Sequence, residues 1–156
     1  MNNSQSANWD QLLNSRLDAS LIDRTVVGGV LVVNSRVLLL RRRGGDFLEG
    51  LWELPSGKME ETESPVEALR REVLEETGLE IVRVAGYVGD FDYTSQSGRR
   101  TRQVNLVAVT SHSPVLLSEH DDFGWFTVEE MGDLNVSEET AECVRLGMRT
   151  STLGAV

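Results

Sequence analysis

Long apolar runs, a basic surplus, paired cysteines and a working set of histidines are all missing from this sequence. No apolar stretch approaches the roughly 18 residues needed to span a bilayer. The first twenty residues also lack the basic start and apolar centre of a secretory signal, so neither membrane insertion nor secretion is expected. Cys143 stands alone, with no second thiol to pair with and no ligand spacing around it, which places the chain in a reducing compartment, the cytoplasm. A formal net charge of -10 excludes broad, sequence-blind binding to nucleic acid or to an anionic membrane, because both need a basic surface that displaces counterions. His112 and His120 are the only histidines, neither lies beside a serine and an acid in triad fashion, and both read as ordinary loop residues.

What remains is the composition of a water-soluble globular protein, 40% hydrophobic and 26% charged over 156 residues. That length fits one domain. Residues 1–24 read as an extension, in which Trp9, Leu12, Leu13 and Leu17 recur at helical spacing, and residues 25–150 as the domain proper. Within the domain, Thr25 to Val33 and Val37 to Arg42 are strand-like runs joined by a tight turn at Asn34-Ser35. Gly44, Gly45 and Gly50 mark a loop, Leu51 to Leu54 a short strand, and Pro55-Ser56-Gly57 a turn. Two further strands, Glu80 to Phe91 and Thr101 to Thr110, flank the turn Ser95-Gln96-Ser97-Gly98. Phe123 to Phe126 forms a last strand, and Ser137 opens a C-terminal helix. Strands and helices intermingle without a regular βαβ repeat, which predicts a mixed sheet with helices on both faces.

The best-marked element is a helix from Pro65 to Thr77. Ser64 suits the cap, Pro65 the first helical position, and Gly78 the stop. At about 100° per residue, Glu72, Glu75 and Glu76 occupy one arc, while Val66, Leu69, Val73 and Thr77 form an adjacent apolar stripe. Crowding glutamates at i, i+3 and i+4 costs a few tenths of a kcal/mol per pair, a cost that a divalent cation between them removes. Hard oxygen ligands favour Mg²⁺ or Mn²⁺, and a Mg²⁺ site combines one or two carboxylates with waters and substrate phosphates. The alternative is a solvated face in which Arg70 and Arg71 pair with glutamates.

Residues 57–79 read GKMEETESPVEALRREVLEETGL. This stretch resembles, without a departure, the Nudix box G-x5-E-x7-R-E-U-x-E-E-x-G-U, where U is aliphatic. Gly57, Glu63, Arg71, Glu72, Val73, Glu75, Glu76, Gly78 and Leu79 fill the fixed positions. The resemblance extends more loosely from Thr25 to Met148. It implies an α/β fold, the Nudix-type α/β/α sandwich with a mixed β-sheet, and metal-dependent attack of water on a diphosphate. It also implies that Glu72, Glu75 and Glu76 hold the metal, that the backbone at Gly57 approaches it, that Arg71 orients a glutamate, and that Glu63 supports the loop.

Family members often draw a further acid from a loop after the box. Glu119, just ahead of the strand Phe123 to Phe126, is the first candidate, with Asp121 and Asp122 behind it. For substrate, Arg41 and Arg43 share one side of a strand and Arg42 faces the other, while Arg102 follows a turn; each meets phosphates or lies in solvent. Phe47 and Tyr93 are candidates to stack on a base, whereas Trp52 reads better as core packing.

The expected partner is a small nucleotide or related diphosphate, with no nucleic acid and no membrane, and a homodimer is left open. The compact domain looks like the MutT-type members that convert nucleoside triphosphates to monophosphates and pyrophosphate. The first proline after the box is Pro114, far from the marker of the ADP-ribose subgroup. ADP-ribose, nucleotide sugars and dinucleoside polyphosphates stay open as substrates, as does a sensing module that cleaves nothing.

Overall fold

The computed structural model describes residues 19–153, so the helix expected around Trp9 to Leu17 lies outside the described residues. A single 3-10 turn, Ala19–Leu21, leads into strand β1 (Arg24–Val33), which is joined to β2 (Arg36–Arg42) by the anticipated hairpin. Asn34 and Ser35 both take positive φ, 51° and 61°, the twist that a two-residue turn needs to match right-handed strands. Two short strands follow, β3 (Trp52–Glu53) and β4 (Ser56–Lys58). The second falls where a turn was expected: β4 pairs antiparallel with β1, Gly57 opposite Val27.

Helix α1 spans Pro65–Thr77 as its end signals predict. Ser64 Oγ accepts the Glu67 N–H at 3.2 Å, and Gly78, at φ 73°, returns its own N–H to the Leu74 carbonyl. Strands β5 (Ile81–Thr94) and β6 (Arg100–Thr110) form an antiparallel pair. β7 (His120–Phe126) begins three residues ahead of the expected strand and pairs with β2. A four-residue helix not anticipated from the sequence, α2 (Val128–Met131), is closed by a capping box between Thr127 and Glu130. Helix α3 (Glu138–Leu153) ends the described chain.

The seven strands make one sheet with the path β3-β2-β1-β6-β5, β4 joining β1 and β7 joining β2 off this path. β1 and β6 run parallel and the other pairs antiparallel, so the sheet is mixed. β1 and β6, at its centre, are buried along most of their length, as strands covered on both faces must be. On one face α1 packs Val66, Leu69 and Val73 against Leu31, Leu38, Leu40 and Leu106. On the other α3 packs Ala141 and Val144 against Val30, Leu39, Leu54 and Val107. Leu38, Leu39 and Leu40 thus divide between two cores by simple alternation. Each of these valines and leucines contributes about 1.5–3 kcal/mol by leaving water, which fixes α1 rigidly beside β4. The α/β/α sandwich expected from the sequence is the one observed. Among the described residues no helix is long and apolar enough to cross a membrane.

Candidate active site

The site grows out of the contact between α1 and β4. Because β4 has a glycine at its centre, the Glu72 carboxylate lies directly against the backbone; a Cβ on Gly57 would overlap it. One turn on, Glu76 is only 6% exposed, and its Oε1 accepts the Ser56 N–H at 3.1 Å. Burial, followed by the nearby charge of Glu72, pushes the Glu76 carboxyl up to about 8, against a Ser56 hydrogen bond that acts the other way. Burial also raises Glu72, with Glu75 and Glu119 adding repulsion and Arg71 opposing it. Glu119, on the loop entering β7, lies close enough to act on both Glu72 and Glu76. Glu75 does not share this depth: it is 58% exposed and stands at the outer rim, 3.5 Å from the Arg71 guanidinium.

Arg71 ties the helix to the loop before it. Its Nε and Nη2 grip Glu63 at 2.7 Å each, Nη1 donates to Glu72 Oε1 at 2.8 Å, and Nη2 also donates to the Lys58 carbonyl at 3.0 Å. The fork-shaped contact holds Glu63 well below the usual carboxylate range, to about 2, and raises Arg71. Glu63 in turn accepts the Glu60 N–H.

His120 departs from its expected place in a loop. β7 starts at this residue and pairs with Arg42 of β2, so the imidazole is turned inward. Its Nε2 is 3.0 Å from Glu53 Oε2, and its Nδ1, buried and without a hydrogen-bond partner, is 3.6 Å from Glu76 Oε2. Glu53 and His120 are the residues that sequence reasoning missed. Only the β2–β3–β7 register brings them to the helix, and no local pattern carries that register. His112 is exposed in a loop, as expected.

A cavity of about 500 Å³ opens beside these groups, lined by Arg42, Phe47, Glu53, Ser56, Tyr93 and Gln103 among others. Phe47 and Tyr93 are both in this lining, whereas Arg41, Arg43 and Arg102 are not. Arg41 is held by Asp121 at 2.8 Å and lies over the Trp52 ring, and Arg43 pairs with Asp46. Arg102 is 2% exposed and bound to Asp92. The cavity is reached by Arg42 instead, since a bulge between Arg41 and Arg42 shifts the register where β2 leaves the sheet. Trp52 packs edge-on against Phe126, which bears out its reading as core.

The donor set fits a divalent cation. Glu72 and Glu76 supply hard oxygens, the Gly57 cradle leaves the Glu72 carboxylate room beside backbone, and Glu119 lies near enough to repel both. Among the described residues no group of three or more His, Cys, Asp or Glu side chains is arranged to enclose an ion by itself.

The model of the NUDIX domain matches residues 23–146. A Mycobacterium tuberculosis protein provisionally named 8-oxo-dGTP diphosphatase 2 is 33% identical over 117 residues, 74% of this chain and 81% of its own length. The CTP pyrophosphohydrolase of Escherichia coli is 32% identical over 108 residues, covering 67% and 76% of the two chains. Among solved structures, the E. coli ORF135 protein superposes with a TM-score of 0.66 at 28% identity, over 87% of this chain and 94% of that one. The chain is a member of the Nudix family, hydrolases that act on pyrophosphate bonds of nucleotides.

Proposed function

We propose that this chain is a Mg²⁺-dependent pyrophosphohydrolase, with Mn²⁺ as a substitute, that converts a (deoxy)nucleoside triphosphate to the monophosphate and pyrophosphate in the cytoplasm. The observation that carries this reading is the sharing of Glu53 and Ser56 between two places. Both line the 500 Å³ cavity, and both touch the shell of Glu76, Ser56 by its N–H and Glu53 through His120. A nucleoside seated in the cavity therefore places its phosphates at the carboxylates. Phe47 and Tyr93 offer faces for a base, and Arg42 lines the same cavity.

Glu72 and Glu76 would hold the cation, with Glu75 at the rim, room left by the Gly57 backbone, and Glu119 adding its charge from the loop before β7. When bound, the metal neutralises charge on the phosphoryl oxygens and lowers the pKa of coordinated water. The protein's own groups do the positioning. Arg71 fixes Glu72 through two hydrogen bonds to Glu63 and one to Glu72 itself. The Ser56 N–H holds Glu76 Oε1, and His120 packs beside its other oxygen. No covalent nucleophile is required.

The names of the relatives agree with a nucleotide substrate: a CTP pyrophosphohydrolase in E. coli, and a nucleoside triphosphatase named NudI in Enterobacter, 30% identical over 128 residues. The test is a panel of triphosphates, oxidised nucleotides, ADP-ribose, nucleotide sugars and dinucleoside polyphosphates, scored by kcat/KM and product identity. A preference above about tenfold for ADP-ribose or a nucleotide sugar, worth about 1.4 kcal/mol, would overturn the assignment.

A further inference from the structure

Most polar groups in the cavity wall are already committed. Arg42 is held by Glu53 and by the Phe47 carbonyl, Arg24 Nε donates to Thr101 Oγ1, and Asp92 binds Arg102. Gln103 Oε1 and the Glu139 carboxylate, both in the wall, meet no donor among the described residues.

The orientation of Gln103 is dictated from behind. Asn105 is fully buried, and its Nδ2 faces the Gly89 carbonyl at 3.4 Å. A backbone carbonyl only accepts, so the Asn105 amide nitrogen must point there and its Oδ1 must point the other way. Oδ1 then demands a donor from Gln103, whose Nε2 supplies it at 2.9 Å. Gln103 Nε2 also lies against Gly28, where a Cβ would stand 2.6 Å away, so only glycine leaves space for this arrangement. Turning the Gln103 amide over would set two oxygens face to face in a buried place, at the cost of an unmade hydrogen bond. The carbonyl of Gly89 thus fixes, through two amides, that the wall presents an acceptor to whatever fills the cavity. Glu139, in the first turn of α3, is an acceptor as well.

We infer that Gln103 and Glu139 select a nucleobase that bears an exocyclic amino group. Cytosine, adenine and guanine offer such a donor. Uracil, thymine and hypoxanthine present a carbonyl or a bare C–H at the corresponding positions and leave an acceptor unpaired. The inference rests on the proposed seating of a nucleoside in this cavity and adds the class of base to it.

The test is equilibrium binding by calorimetry on the full chain in Mg²⁺, with CMP against UMP and GMP against IMP, since each pair differs chiefly at the amino group. The amino-bearing member is expected to bind at least about tenfold more tightly in one or both pairs. Gln103→Met and Glu139→Gln should each narrow that ratio. Should Gln103→Met fail to fold, Glu139→Gln carries the test, because Glu139 is exposed. A wild-type ratio within about twofold in both pairs, no binding of any of the four, or a ratio unmoved in the folded variants would overturn the inference. Turnover of the matching triphosphates separates it from the reading beneath. Turnover without discrimination sinks only the base selection, while discrimination in binding without turnover sinks only the proposed reaction.

Discussion

The carboxylate of Glu72 occupies the space that a side chain at position 57 would need. The Glu72 carboxylate can lie against β4 only because Gly57 has no Cβ. Gly57→Ala should therefore displace Glu72, a flexible side chain that can swing aside, more than it disturbs the fold. Thermal melts should show at most about 1 kcal/mol of destabilisation, within the ordinary range for one substitution. Metal-dependent turnover should fall at least tenfold. A variant that keeps full turnover would show that the cradle is irrelevant to the site.

Glu63 and Arg71 make an acid-sensitive joint. Glu63 is held to about 2 in the folded chain, below its ordinary 4.5. A carboxyl lowered in this way stabilises the fold at pH values above 4.5 and loses that contribution as pH falls toward 2. The pair is partly exposed and screened, so its contribution is about 1 kcal/mol. Melts between pH 5 and pH 2.5 should show Glu63→Gln less stable at the upper end, with the gap to wild type closing at the lower end. A constant gap would mean that the ion pair is not its source.

Glu76 carries the opposite sign. Its folded value of about 8 lies above the ordinary 4.5, so the metal-free chain loses stability as pH rises from 4.5 to 8, by a few kcal/mol. A divalent cation competes with that proton. Mg²⁺ should raise the melting temperature more at pH 8 than at pH 6, and calorimetry in buffers of different ionisation enthalpy should detect proton release on binding at pH 7. Binding with no proton released would contradict the buried, protonated carboxyl.

His120 stands between Glu53 and Glu76 and touches the carboxylate proposed to hold the metal. Loss of such a supporting partner typically costs about 10–100-fold in metal affinity or activity. His120→Ala should weaken Mg²⁺ binding and kcat within that range and leave KM less affected, because the cavity wall is intact. An unchanged Mg²⁺ titration would remove His120 from the site.

Helix α1 was legible residue by residue, since Ser64, Pro65 and Gly78 act within one turn of the ends they define. The hairpin at Asn34-Ser35 was legible for the same local reason. Strand β4 was not, because Ser56–Lys58 is three residues without alternation and owes its existence to the distant β1. The same non-locality hid Glu53 and His120, brought together across 67 residues by strand register. Alternation did show that Arg42 faces away from Arg41 and Arg43. It could not tell which side holds the cavity, because Asp121 and the bulge in β2 settle that.

The most direct measurement is kcat/KM for a nucleoside triphosphate in Mg²⁺, with products identified by phosphorus NMR, for wild type and Glu76→Gln. This substitution removes one ligand charge at nearly constant volume, beside a Ser56 N–H that still finds an acceptor. The account predicts monophosphate and pyrophosphate from wild type, and a loss of several orders of magnitude in a variant that melts no lower than the metal-free parent. Turnover in Glu76→Gln within about tenfold of wild type, or release of inorganic phosphate instead of pyrophosphate, would contradict it.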